Sequence, residues 1–200
     1  MIYIHITMNQ QKMLLKLPSI KTTTIKKQSK VYPSTEFVLY FDGCSKGNPG
    51  LAGIGAVIYK QEVEYWSSCK HIGNNKTNNE SEYSALIFGL ESALELNIKN
   101  LSVCGDSLLV INQVNNIYKV KHPNLYELYE KVIELKKRFD YIDFNHVFRN
   151  NNKRADQLSN LALEFVDVIK ESEKLYSIYE DSIDFDEELV MESTFNKKVK

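Results

Sequence analysis

Four acids in this chain sit where solubility alone gives no reason for one: Asp42, Glu82, Asp106 and Asp156. Asp42 closes an apolar run from Phe37 to Phe41, and Asp106 follows a second run from Leu101 to Cys104 and Gly105. Glu82 and Asp156 each lie at the start of a stretch with helical apolar spacing. A carboxylate at the end of a buried strand is costly unless a cation or a hydrogen-bond donor meets it. Hard oxygen donors without a histidine or cysteine cluster are the ligands magnesium takes. Two such cations about 3.5–4 Å apart would lower the pKa of a bound water and neutralise a leaving oxygen, the two needs of phosphodiester hydrolysis. Four acids a few ångströms apart also repel, so at least one should hold its proton more tightly than a free carboxylate until metal enters.

The elements that must bring these acids together follow from local pattern. FVLYFDGCSKGNPGLAGIGAVIY reads as a strand, a glycine-rich turn and an antiparallel partner. TNNESEYSALIFGLESALEL reads as a helix capped by Thr77 or Asn78, with Leu86, Ile87, Leu90, Ala93 and Leu94 on its buried side. Glu82 precedes Leu86 by about one turn and so leans toward that side, with Glu80 as its nearby competitor. LSVCGDSLLVINQV is a short strand ending at Asp106 and then a helix, and strand carboxyl ends are where ligands gather in α/β sheets. FNHVFRNNNKRADQLSNLALEF is an extended segment, a polar loop and a helix with Ala155, Leu158, Ala162 and Phe165 on one side, placing Asp156 in its first turn. Each acid alone also has an ordinary reading, as a helix cap, a dipole partner or a turn residue.

The four neighbourhoods in this order resemble the type 1 ribonuclease H family. The resemblance runs from about Phe37 to about Phe165 and rests on the blocks DGxxxGNPGxxGxG, TNNxxEYxAL, GDS and HVxRxxNxxAD. It implies that Asp42, Glu82, Asp106 and Asp156 hold two Mg²⁺ ions per site, with Mn²⁺ as the alternative. It implies an endonuclease that cleaves the RNA strand of RNA–DNA hybrids, leaving 5′-phosphate and 3′-hydroxyl ends. A hybrid differs from duplex DNA by the 2′-hydroxyls of one strand, exposed in a wide, shallow minor groove. Gly43, Ser45, Asn48 and Asn79 are the expected readers, while Thr77 and Asn78 look like the family's phosphate pocket for the DNA strand. Arg149 occupies a place comparable to that of a basic residue in the short-loop branch, where it would steer the attacking water or help product leave. His146, within an alternating strand, is expected to be structural.

The chain departs from the best-known bacterial pattern in the short segment NNIYKVKHPN, where some relatives insert a basic protrusion that grips the duplex. Lys119, Lys121, Lys136, Lys137 and Arg138 are the alternative phosphate contacts. Duplex RNA is the second substrate to consider. The rival reading is a nucleic-acid-binding module that has kept the fold and lost catalysis, and retention of all four acids argues against it.

The expected fold is α/β and ribonuclease H-like. Three strands near Phe37 to Asp42, Gly53 to Lys60 and Glu64 to His71 form an antiparallel meander. Two later strands, Leu101 to Cys104 and Tyr141 to Phe148, join it in parallel, with helices on both faces. Asp42 and Asp106 should then end adjacent strands. A chain of 200 residues fits one such domain, taken as 36–168, with tails.

Residues 1–35 read as a basic, disordered extension carrying Lys12, Lys16, Lys21, Lys26, Lys27 and Lys30, and 169–200 read as a loosely ordered acidic tail. The net charge of −1 therefore averages segments of opposite sign. Cys44, Cys69 and Cys104 form no CxxC pair and the four histidines lack zinc spacing, so a reduced, intracellular protein without a transition metal is expected. No apolar run is long enough to cross a bilayer, and a monomer is expected.

Overall fold

The computed structural model describes residues 35–196, with side chains through Tyr176. All of the expected basic extension except Thr35 lies outside the described residues. Strands β1 (Phe37–Gly47), β2 (Gly50–Lys60) and β3 (Val63–Lys76) form the antiparallel meander. Strands β4 (Asn100–Gly105) and β5 (Tyr141–His146) add in parallel, giving the order β3-β2-β1-β4-β5. The helices are α1 (Asn78–Glu95), α2 (Leu108–Val114), α3 (Pro123–Lys136) and α4 (Lys153–Asn196), with a short 3-10 turn at Arg149–Asn151.

Alternation along β1 and β2 sorts side chains onto two faces. Leu39 and Phe41 on β1, with Ile54, Ala56 and Ile58 on β2, are buried in the main core with Leu86 and Leu90 of α1. Val57 points the other way and packs with Ala155 and Leu158 of α4, beside Tyr40, Tyr59 and Cys69. The sheet is thus covered on both faces, as expected. Each fully buried leucine or valine contributes about 1.5–3 kcal/mol relative to exposure, so this two-sided burial is the main force holding the sheet and helices together.

All five strands differ in extent from the sequence expectation: β4 is one residue longer at each end, β2 starts at Gly50 rather than Gly53, and β1, β3 and β5 shift at their far ends. β1 runs five residues past Asp42, because the hairpin stays paired down to Gly47 and Gly50 and turns only at Asn48 and Pro49. Gly47 takes a φ of +93°, a conformation costly for any side-chain-bearing residue. β3 likewise continues past His71 to Lys76, following β2 back to Gly50. β5 stops at His146 rather than Phe148; one more backbone bond, Val147 N–H to the Gly105 carbonyl at 3.0 Å, precedes the turn. Although the folded unit was expected to end at 168, α4 continues to Asn196, and no glycine or proline follows Pro123 to interrupt it. Its side chains from Asp167 to Tyr176 are exposed. Among the described residues, no helix is long and apolar enough to cross a membrane.

Candidate active site

The parallel register of β1 and β4 ends at the pair Phe41 and Gly105. Asp42 and Asp106 are the next residues and so lie side by side where β4 stops; Asp106 ends its strand as expected, whereas Asp42 lies inside β1, still paired with Gly55 of β2. Glu82 reaches them from α1, whose start is fixed by a capping box: Thr77 Oγ1 accepts from the Glu80 amide at 3.3 Å, and the Thr77 amide donates to Glu80 Oε2 at 2.8 Å. Asn124 Nδ2 donates to the other oxygen of Glu80 at 3.4 Å. Glu80 is therefore committed to capping, which leaves Glu82 as the acid of this helix that faces the site.

Gly43 makes the approach of α1 feasible. A Cβ there would lie 2.1 Å from the Ser81 carbonyl carbon and 2.4 Å from the Glu82 nitrogen, so only hydrogen fits. The Gly43 amide in turn donates to the Glu82 carboxyl. On the opposite face, a Cβ at Gly55 would meet Leu158 Cβ and the Ser159 nitrogen at 2.5 Å. The bare backbone of β2 thereby lets α4 sit close against the sheet.

Asp42, Glu82 and Asp106 each offer an oxygen within 4.8 Å of the others. Asp42 and Glu82 are buried and Asp106 is partly exposed. Burial pushes Asp42 up to about 6; the Ser159 hydroxyl opposes the rise, and the charges of Asp106 and Asp156 add to it. Burial, followed by the charges of Asp42 and Asp106, raises Glu82 well above the usual carboxylate range, partly offset by the Gly43 amide. The expected proton-holding acid is thus present twice.

Asp156, the fourth acid of the expected set, stands beside this group rather than in it. It lies in the first turn of α4, and its Oδ1 accepts from Arg149 at 2.6 Å. The Arg149 side chain is 78% exposed and that of Asp156 27%. His146 Nε2 lies 3.3 Å from the Asp106 carbonyl oxygen and its ring meets Phe148 edge-on, contacts that fit the structural part expected of it.

The expected substrate-binding residues lie on the β1–β2 hairpin and at the start of α1. The Ser45 hydroxyl reaches the carbonyls of Gly47 at 2.6 Å and Lys76 at 2.7 Å. Asn48 Oδ1 accepts from the Asn78 amide at 3.1 Å, tying the hairpin turn to the start of α1. Thr77 is held in the capping box, while the side chains of Asn78 and Asn79 are exposed.

Residues 40–162 match the family described as Reverse transcriptase-like. The solved N-terminal RNase H domain of Rv2228c from Mycobacterium tuberculosis is 40% identical, covers 66% of this chain and 95% of that one, and superposes with a TM-score of 0.62. RNase H1 of the halophilic archaeon Halobacterium salinarum is 37% identical over 64% of this chain and 97% of that one, with a TM-score of 0.62. This chain belongs to the type 1 ribonuclease H family. LC11-RNase H1, solved in complex with an RNA/DNA hybrid, is 37% identical over 65% of this chain and 98% of that one, with a TM-score of 0.62. Some relatives are longer: the match covers 35% of the full mycobacterial bifunctional protein Rv2228c and 63% of the Halobacterium ribonuclease HI.

The donor set of this ribonuclease H chain fits a hard divalent cation. Three carboxylates converge, two of them hold protons at unusually high pH, and Glu82 Oε2 is buried with no hydrogen-bond partner. A cation among them would satisfy that oxygen and remove the repulsion.

Two residues that sequence reasoning did not single out hold this site together. Asn152, directly before α4, donates from Nδ2 to the Phe41 carbonyl at 2.8 Å and to Asp106 Oδ1 at 2.9 Å. Ser159 donates its hydroxyl to Asp42 Oδ2. The available signal was a serine in the buried stripe of α4 between Ala155 and Ala162, since a buried polar side chain needs a partner.

Proposed function

We propose that this protein is a metal-dependent endonuclease that hydrolyses the RNA strand of RNA–DNA hybrids and leaves 5′-phosphate and 3′-hydroxyl ends. The convergence of Asp42, Glu82 and Asp106 at one strand end carries the reading. The hybrid held by LC11-RNase H1 supports the substrate class. Asp42, Glu82 and Asp106, together with Asp156 from the edge of the site, would hold two Mg²⁺ ions or, alternatively, Mn²⁺. Such ions, when bound, supply an activated water and charge neutralisation at the leaving oxygen.

The chain's own residues do the rest. Gly43 presents backbone at van der Waals reach of the groove, and Ser45, Asn48 and Asn79 place small polar groups where 2′-hydroxyls of an RNA strand would lie. Thr77 and Asn78, at the start of α1, offer a helix N-terminus to a phosphate of the DNA strand. Arg149 holds Asp156 and supplies a cation beside the scissile phosphate, where it steers water or assists product release. Cys44, Cys69 and Cys104 form no disulfide with one another, which fits a reduced, intracellular setting.

The test is a cleavage assay with end-labelled RNA–DNA hybrid, duplex RNA and duplex DNA, each in magnesium, manganese or chelator. Cutting of RNA in the hybrid, lost in chelator, is the expected result, and the duplex RNA lane reports the breadth of substrate choice. Metal-independent cutting, or none in the hybrid, refutes the proposal.

A further inference from the structure

Resting on that metal-dependent reading, the geometry points to Asn152 and Ser159 as positioning residues of the acid cluster: Asn152 directly before α4 and Ser159 on its buried face each fix one carboxylate from behind. Seven residues separate them, two turns of helix, so they share a stripe with Ala155 and Ala162. All four are almost wholly buried, Asn152 at 1%, Ala155 and Ser159 at 0% and Ala162 at 3%. Asp156, about 100° round the helix from Ala155, is left at the rim. The small side chains and the bare glycines of β2 set how deep α4 lies: a Cβ at Gly53 would come 2.3 Å from the Ser159 carbonyl oxygen.

At that depth Asn152 Nδ2 meets one oxygen of Asp106, and the Ser159 hydroxyl meets one oxygen of Asp42. The third acid has the same arrangement from another source, the Gly43 amide to Glu82. A carboxylate held through one oxygen in a fixed plane presents its other oxygen in a defined direction. Asn152 is itself anchored by its bond to the Phe41 carbonyl within β1, so it ties β1 to the acid that follows β4. Loss of such supporting bonds typically costs 10–100-fold in metal affinity.

The experiment uses the full chain as wild type, Ser159→Ala, Asn152→Ala and Asp106→Asn. For each, Mg²⁺ affinity is measured by calorimetric titration with magnesium chloride, and the rise in melting temperature on going from chelator to magnesium is recorded. The Ser159→Ala change removes only an oxygen and cannot clash. Both alanine variants are expected to bind Mg²⁺ about tenfold or more weakly, with a smaller magnesium-dependent rise in melting temperature at a fixed metal concentration. A purely structural role would lower the melting temperature in chelator and magnesium alike and leave the rise and the affinity unchanged, and that result overturns the positioning role. Should Asn152→Ala fail to fold, Ser159→Ala decides by itself. Asp106→Asn separates loss of the positioning role from loss of metal binding itself. If it abolishes binding while the alanine variants keep wild-type affinity, only the positioning role falls; if it too binds normally, the metal reading falls with it.

Discussion

Asp42 and Asp106 stand next to each other because the strands that carry them stop sharing hydrogen bonds one residue earlier, at Phe41 and Gly105. Two acids, one still inside β1 and one just past β4, thus lie at the same height against a dry sheet, with Glu82 pressed in from α1. Without a cation such an arrangement opposes the ionised state of its own members. Folding must tolerate this cost, and metal binding relieves it.

The first consequence concerns pH. Asp42 titrates near 6 in the folded protein, against an ordinary value of 3.8. A carboxyl with a raised folded value favours folding while it keeps its proton, so this contribution is whole below about pH 4 and is lost as pH rises through about 6. A shift of about two units, at about 1.36 kcal/mol per unit, corresponds to roughly 3 kcal/mol. Urea unfolding of the metal-free protein should therefore show stability falling between pH 4 and pH 6, with Glu82 acting in the same direction. Asp42→Asn should flatten that fall and be more stable than wild type at pH 7 in chelator. A wild-type curve that is flat, or rises, across this interval contradicts the electrostatic account.

Gly43→Ala tests whether α1 must lie this close. The added methyl meets the backbone of Ser81 and Glu82, which cannot yield as a flexible side chain would. Overpacking of this kind costs about 1–3 kcal/mol or more. Denaturation in chelator should show that loss, and Mg²⁺ affinity should drop because Glu82 is carried away with the helix. Wild-type values for both would mean that α1 sits farther from β1 than the structure places it.

Arg149→Ala separates chemistry from stability. The pair with Asp156 is exposed on the arginine side, and exposed pairs contribute about 0–1 kcal/mol. Melting temperature should therefore barely move. At saturating hybrid and magnesium, kcat should fall about 100-fold, the low end for loss of a group that handles protons or water in the transition state. An unchanged kcat would remove Arg149 from the reaction.

Much of this architecture is legible in the residues. Short continuous apolar runs through Phe37–Phe41 and Val57–Tyr59 mark β-strands, and Thr77 with Glu80 spells a capping box. The position of Asp106 follows from a strand end and that of Glu82 from helix periodicity, whereas Asp42, expected at a strand end, lies inside β1. What escapes is whatever depends on how closely two elements approach. The continuation of β1 to Gly47 depends on a tight turn that keeps glycine backbone paired, and glycine carries no side-chain pattern to announce it. Asn152 and Ser159 read as a loop asparagine and a helix serine until α4 docks on Gly53 and Gly55 and their donors meet Asp106 and Asp42. The turn of Asp156 toward Arg149 depends equally on tertiary placement, since both residues lie in one polar stretch that fixes no side-chain direction.

Cleavage of an end-labelled RNA–DNA hybrid by wild type and by Asp106→Asn, in magnesium and in chelator, tests whether these converging acids make a metal-dependent nuclease. Wild type in magnesium should cut the RNA strand alone, leaving 3′-hydroxyl ends that a polymerase extends. Chelator or the Asp106→Asn change should reduce that rate by at least about 100-fold, while circular dichroism shows the fold retained. Undiminished cutting by folded Asp106→Asn, or no magnesium-dependent cutting by wild type, would contradict that role for the acids.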